Sequence, residues 1–464
     1  MTRISRRQAV QTISSSLGAL AFAGMATGEA LAADDNPLAP RDTHFAPRAK
    51  HVIMLFMSGA PSHVDTFDYK PALIKADGQS GGRGRLMAPI SRFRQHGQSG
   101  LWISDLFPNV SKNADDLCLI RGMHCEQPNH PTARRAAHTG SSQFVRPSLG
   151  AWSVYGLGTE NSELPGFVVM GERGQRVNYG SSFLPARYQA TTVNPGVGDE
   201  SGRGGGGGRR GGSGEASDGA IPNISNKALD NRGQRTQLDL LARLNQAKLK
   251  REVHQPQVEG MMQSYELAFR MQSSMPQLMD LARETKSTKA VYGIGEAATH
   301  SFGTQCLLAR RMVESGVRFI EVGVGGWDHH TQLSDKLPAS CEAVDKPIAG
   351  LLADLKQRDM LKDTLVIWAG EFGRTPHGNG NGRGHNNKGY TTWMAGGGVK
   401  GGFSYGSTDE TGREAVDDRM HTHDWHATIL HLLGLDHEKL TYRYAGRNFR
   451  LTNVAGKVAK TILS

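Results

Sequence analysis

The stretch His51-Val-Ile-Met-Leu-Phe-Met57, closed by Ser58-Gly59-Ala60-Pro61, decides the fold. A continuous apolar run of strand length, without polar alternation, belongs to a strand buried on both faces, and turn residues end it. The same pattern recurs toward the C-terminus. Gln305 to Glu314 has helical apolar spacing, Gly316 stops it, and Val317-Arg-Phe-Ile-Glu-Val-Gly-Val324 follows as a strand. Ile348 to Arg358 reads as a helix, Thr364-Leu-Val-Ile-Trp-Ala369 as a strand, and Ala427 to Leu433 as a last helix closed by Gly434. This alternation predicts an α/β fold with a mainly parallel sheet sandwiched by helices, and ligands beyond the carboxyl ends of its strands.

Upstream of the first strand, Ser5-Arg6-Arg7-Gln8 precedes an uncharged run from Ala9 to Thr27, and small residues follow at Ala30-Leu31-Ala32. Gln11, Thr12 and three serines make that run too polar for a stable membrane span, so residues 1–32 read as a twin-arginine signal peptide. The protein is therefore expected to be exported to the periplasm or the extracellular space. Residues 33–46 read as a leader and 47–464 as one domain, large enough for a single sheet with insertions. Two segments interrupt it. Residues 196–220, dominated by Gly with Arg and Ser, cannot bury enough apolar surface to order and are expected to be a disordered loop. Residues 226–290 carry Leu238, Leu241 and Leu244, then Met261, Tyr265, Ala268 and Phe269, the spacing of a helical insertion, with Met262, Met271, Met275 and Met279 placed to pack on the main domain.

Removing residues 1–32 takes away three arginines and one glutamate, and the formal charge falls from +10 to +8. A basic chain favours anionic partners. Part of the charge lies in the Arg/Gly segment rather than on a folded face, so the expected partner is an anionic small molecule or glycan and not nucleic acid. Cys118, Cys125, Cys306 and Cys341 form no Cys-x-x-Cys pair, and a disulfide between Cys118 and Cys125 stays open.

Ligand-type residues follow each strand end. The first is followed by His63, Asp65 and Asp68, the second by Trp327-Asp328-His329-His330, and the third by Glu371-Phe372-Gly373-Arg374. Later loops add His385, then His423, Asp424 and His426. Carboxylate oxygens and imidazole nitrogens hold zinc, manganese or calcium, so Asp65, Asp328, His330, Glu371 and His385 are the candidate ligands of a divalent metal. Asp328 and His330, two residues apart on an extended segment, point to one side. Asp424 reads equally as a helix cap. A second constellation is Gln127-Pro128-Asn129-His130-Pro131-Thr132, where a proline opens a helix whose first amides can face an anion. One reading places Asn129, His130 and Thr132 at a catalytic site with Arg374, and the other is a well-capped helix.

The chain resembles domain-of-unknown-function family 1501, within the alkaline-phosphatase and sulfatase superfamily. The segments that carry the resemblance are Ser58-Gly-Ala-Pro-Ser-His-Val-Asp-Thr-Phe-Asp68, Asn129-His130-Pro131, His138-Thr139-Gly140, Leu164-Pro-Gly-Phe-Val168, Trp327-Asp328-His329-His330, Glu371-Phe-Gly-Arg-Thr-Pro376, Ala395-Gly-Gly-Gly398 and His426-Ala-Thr-Ile429. The resemblance implies an alkaline-phosphatase-like domain in which His130 to Gly140 is the counterpart of the segment that bears the sulfatase nucleophile. No Cys stands there, so Thr132 is the nearest hydroxyl. Ser58-Gly59 replaces the metal-binding Asp that the superfamily places after the first strand, Glu371-Phe372 replaces its Asp-Asn or Asp-His pair, and Gly384 stands where relatives carry Asp.

Two functions are compatible with these residues. One is a metal-dependent hydrolase of phosphate or sulfate esters, with Thr132 or an activated water attacking and Asn129 or Arg374 holding the anionic oxygens. The other is a non-catalytic protein that binds a sulfated glycan or a protein partner in the same cleft. The export reading has its own test: changing Arg6 and Arg7 to Lys should leave unprocessed precursor inside the cell, seen by fractionation and immunoblotting, and unaltered export of that variant excludes the twin-arginine route.

Overall fold

The apolar run forms strand β1 (His51–Met57), in which every residue is buried. Removing each large apolar side chain of such a strand from water is worth about 1.5–3 kcal/mol, so the run belongs at the centre of a sheet. The computed structural model describes residues 38–82, 84–171, 175–195, 229–249 and 256–464. The 1–32 and 196–220 segments of the sequence reading lie outside these residues.

The main sheet has nine strands. After β1 come β2 (Leu117–His124), β3 (Phe167–Gly171), β4 (Thr191–Thr192), β5 (Phe319–Val324), β6 (Thr364–Ala369), β7 (Tyr390–Ala395), β8 (Phe403–Tyr405) and β9 (Met420–His421). They run in the order β8-β2-β7-β6-β1-β5-β3-β4, with β9 also on β2. β1 pairs in parallel with β5 on one side and β6 on the other. Only β7 runs against its neighbours β6 and β2. The fold is thus α/β with a mainly parallel sheet.

The principal helices are α1 (His130–Thr139), α2 (Leu149–Leu157), α3 (Asn231–Leu249), α4 (Pro256–Met279), α5 (His300–Glu314), α6 (Leu333–Gln357) and α7 (Thr422–Leu432). Helices α2 and α5 pack on β3 and β5, and α5 also packs on α6. In α4, Met271 and Met275 are buried against the core, while Met261 and Tyr265 face out. No described helix is long and apolar enough to cross a membrane.

Two local expectations need correction, and one question left open by the sequence is answered. Helix α6 starts at Leu333, not Ile348, and runs through Pro338 and Pro347. Leu337, Cys341, Val344, Ile348, Leu351 and Leu355 keep the three- and four-residue spacing of one buried face, and that packing outweighs the lost backbone bonds. Residues 38–46, read as a leader, belong to the domain: Leu38 is buried and its carbonyl accepts from Thr159 N at 2.7 Å, and His44 N donates to Gly434 O at 2.9 Å. The four cysteines are buried free thiols, so Cys118 and Cys125 form no disulfide.

Strand register brings the site loops together. Met57 of β1 lies opposite Val324 of β5, and Phe56 opposite Ala369 of β6, so the three strands end level and their loops meet. Gly59 makes the meeting close. Its φ is +112°, and a Cβ there would lie 2.6 Å from Asp328 N. Gly59→Ala should therefore lower stability by about 1–3 kcal/mol through backbone strain and overpacking, measured by denaturant unfolding against wild type. An unchanged midpoint excludes this packing.

Candidate metal centre

Four segments converge beyond the level strand ends. The loop after β5 carries Asp328 and His330, and the loop after β6 carries Glu371. An antiparallel hairpin, Gly373–Asn379 with Gly382–Asn386, returns His385 opposite Arg374. Strand β2, parallel to β6 across the antiparallel β7, delivers the chain to the start of α1, whose first residue is His130.

His130, Asp328 and His385 each offer a ligand atom within 4.8 Å of the other two. His130 Nε2 lies 3.3 Å and His385 Nε2 3.5 Å from Asp328 Oδ1. His330 Nε2 stands beside them, 3.0 Å from the same oxygen and 2.9 Å from His385 Nε2. Ligand atoms around a tetrahedral ion with bonds of about 2.0–2.1 Å are about 3.3 Å apart, which these separations approach. The outward nitrogens are also fixed. His130 Nδ1 is 2.7 Å from Glu371 Oε1, and His385 Nδ1 is 2.7 Å from the Pro128 carbonyl. In a metal-ligating histidine the second ring nitrogen is held by such an acceptor, which sets tautomer and orientation. His130 Nε2 is buried, and the acceptor that faces it is Asp328 Oδ1. Asp328 keeps 46% of its side chain exposed, so the cluster opens to solvent.

The electrostatics follow from these contacts. Burial works against ionisation of Asp328, yet hydrogen bonds from His130, His385 and Arg374 hold its carboxyl far below the usual carboxylate range. Burial also opposes charge on His130, but Asp328 and Glu371 together push it up to about 9. Glu371 is buried; desolvation is outweighed by His130 and Arg134, and its carboxyl stays below the ordinary range. Gly59 N donates to Glu371 Oε1 at 3.0 Å, and an Arg134 amine lies 3.6 Å away.

The sequence-derived site residues are thus sorted. Asp328, His330 and His385 come together, and His130 joins them in the position of a ligand instead of a catalytic group. Glu371 sits behind His130 as its carboxylate support. Asp65 is not at the centre. It lies in a short buried helix, His63–Thr66, where Arg383 Nε and Nη2 hold it at 2.7 and 3.1 Å and Ile90 N donates at 2.9 Å. The turn Ser58–Pro61 ends β1, and Asp65 follows it into the interior. Arg374 is buried and committed to protein groups: Nε donates to Ala60 O at 2.9 Å, Nη1 to Arg383 O at 3.3 Å, and Nη2 to Gly59 O and to Asp328 at 2.6 Å. It cannot also hold a substrate oxyanion. Thr132 Oγ1 donates back to the Asn129 carbonyl at 3.0 Å, and exposed Asn129 makes no side-chain cap bond. Asp424 caps α7, accepting from His421 N at 3.0 Å. The sequence reading missed Arg134, although His130 and Arg134 are one helical turn apart and both face Glu371.

Fold and site together define an α/β protein with a histidine and carboxylate cluster at the carboxyl edge of a mainly parallel sheet. The chain belongs to the family described as protein of unknown function, DUF1501, whose model matches residues 49–463. No curated protein matches it. Among solved structures it is similar to the PsFucS1 sulfatase from Pseudoalteromonas sp., with 14% identity and a TM-score of 0.36 over 84% of this chain and 69% of that one. It is also similar to the lipoteichoic acid synthase LtaP from Listeria monocytogenes, with 9% identity and a TM-score of 0.38 over 90% of this chain and 79% of that one. A protein in the alkaline phosphatase superfamily from Vibrio parahaemolyticus matches at 9% identity and a TM-score of 0.32, over 86% of this chain and 69% of that one.

Asp328→Ala is expected to abolish divalent-metal binding and, by stranding buried Arg374, to lower stability as well, whereas Glu371→Ala, which removes the support of His130 and the acceptor of Gly59 N, should weaken metal binding about 10–100-fold. Asp65→Ala should leave metal affinity intact but cost about 3–5 kcal/mol of stability by stranding buried Arg383. Metal titration with elemental analysis, alongside denaturant unfolding, separates the three; loss of metal from Asp65→Ala would return that residue to the centre.

Proposed function

We propose that this protein is an exported, metal-dependent hydrolase of sulfate or phosphate esters, with His130, Asp328 and His385 as the ligands of a divalent ion. The observation that carries the reading is the pair of imidazoles whose Nδ1 atoms are held by Glu371 and Pro128 while their Nε2 atoms face Asp328 Oδ1. Two nitrogens and one carboxylate oxygen, with a solvent-facing side, are the donor set of a catalytic zinc site, and zinc fits them better than calcium, which takes six to eight oxygens. A bound ion there supplies Lewis-acid polarisation of an ester oxygen and activation of water.

The chain's own residues do the rest. Glu371 fixes the His130 ring, and the Pro128 carbonyl fixes that of His385. Arg374 orients Asp328. His330 Nε2, on the rim of the cluster, is placed to take or return a proton at the reacting oxygen. Water, and not Thr132, is the attacking group in this reading, because the Thr132 hydroxyl is turned back to its own helix turn.

The alternative, a non-catalytic binding protein on the same fold, draws support from the commitment of both Thr132 and Arg374 to protein groups. Hydrolysis of 4-nitrophenyl sulfate and 4-nitrophenyl phosphate decides between the two. The zinc-loaded wild type should turn over one of them, chelation should abolish the activity, and His385→Ala should lower kcat/KM by at least about 100-fold. A fully zinc-loaded protein inactive on both esters sinks the hydrolase reading and leaves the binding protein.

A further inference from the structure

A cavity of about 290 Å³ lies at the opposite end of α1 from His130, bounded by the 140–147 loop and the 447–453 segment. That volume suits a small molecule. No residue of the metal triad lines it. Its apolar wall is Phe183, buried and stacked on Tyr444 with ring centroids 5.2 Å apart, and its mouth carries Phe144, 61% exposed.

The charges in this wall are unbalanced. Arg146 and Arg447 lie over the same ring, their guanidinium carbons 4.5 and 4.9 Å from the centroid of Phe449. The two cations are therefore within one Debye length of each other at 0.1 M salt, about 10 Å. Arg447 donates to the neutral Asn453 amide oxygen at 2.6 Å, and neither arginine has an acidic partner among the described residues. Arg450 pairs with Glu438 at 3.0 Å. Glu126, the acid on the wall, accepts from His421 Nε2 at 2.9 Å, and since His421 Nδ1 accepts from His423 N that ring is neutral, so two guanidinium groups without an acidic partner share the wall with one carboxylate. Burial and the charge of Arg447 both press Arg146 toward losing its proton. Two like charges within a Debye length of each other raise the free energy of the unliganded protein, and an oxyanion in the cavity that both side chains line relieves it with charge-assisted hydrogen bonds.

We propose that this cavity is a binding site for a sulfate or phosphate monoester of a single sugar-sized ring, with Arg146 and Arg447 taking the oxyanion and Phe144 and Phe183 the apolar ring face. The site is independent of the metal reading, since it shares no side chain with the triad.

Isothermal titration of the full chain with N-acetylglucosamine 6-sulfate, N-acetylglucosamine 6-phosphate and unmodified N-acetylglucosamine tests it. Binding of either ester at least tenfold more tightly than the parent sugar is expected. Arg146→Gln and Arg447→Gln should each weaken it about 10–100-fold, the worth of a hydrogen bond to a charged group, and Phe144→Ala should weaken it further. Arg447 is exposed, so its variant keeps the test valid if Arg146→Gln misfolds. Asp328→Ala, which removes any binding at the triad, should keep the preference for the esters over the parent sugar. The proposal is overturned if wild type binds neither ester, if the parent sugar binds as well, if Arg447→Gln binds unchanged, or if Asp328→Ala abolishes binding and so moves the ligand to the triad.

Discussion

The guanidinium of Arg374 is buried, yet it joins three loops that leave three different strand ends. It donates to the Gly59 and Ala60 carbonyls after β1, to Asp328 after β5, and to the Arg383 carbonyl in the hairpin after β6. Buried carbonyls at a strand end need donors, and this guanidinium supplies them. The cation is tolerable there because Asp328 supplies the opposite charge, and an ion pair that has lost one partner leaves the other stranded. Asp328 is thereby held in place before any ligand arrives, and the three histidines are arranged around an oxygen that cannot swing away.

A second carboxylate so close to the first should repel it. Glu371 lies on the far side of His130, however, and the imidazole separates them with one nitrogen toward each. The two acids stabilise a proton on that ring, which is why its affinity for protons rises despite burial. In the protein without metal, the His130 proton and Arg374 together balance Asp328 and Glu371. A divalent ion among His130, Asp328 and His385 would displace the proton and raise the charge of the cluster by one unit, so metal affinity should fall as pH drops and the ring holds its proton.

How much of this was legible in the sequence depends on whether a residue's role is local. Strands β1 and β6 were readable to the residue because a two-sided buried run needs no partner to be recognised. Strand β7 was not, since Tyr390-Thr-Thr-Trp-Met-Ala395 mixes polar and apolar residues and its direction is set by pairing with β2 and β6. The same limit governs the site. Asp328 and His330 were legible from their two-residue spacing at a strand end. Asp65 has the same sequence credentials, and what disqualifies it is Arg383, 318 residues away along the chain. His130 read as a catalytic group at the start of a helix whose first amides could face an anion. Its place beside Asp328 and His385 depends on α1 docking against Glu371, which no local pattern encodes.

Helix α1 then relates the two ends of the site region. Its ten residues span about 15 Å, with His130 at the first turn and Gly140 closing the last in the left-handed conformation. The helix is anchored along its length: His138, buried, bonds to Glu321 of β5 at 2.9 Å, and the Ala137 carbonyl faces His426 Nε2 at 2.7 Å. A helix so tied to the sheet cannot tilt to bring its ends nearer to a common ligand. The arginine-lined cavity and the histidine cluster are therefore held at opposite ends of a helix about 15 Å long. A group small enough for one cannot reach the other, and a chain molecule long enough to touch both would have to present its anionic groups at that spacing.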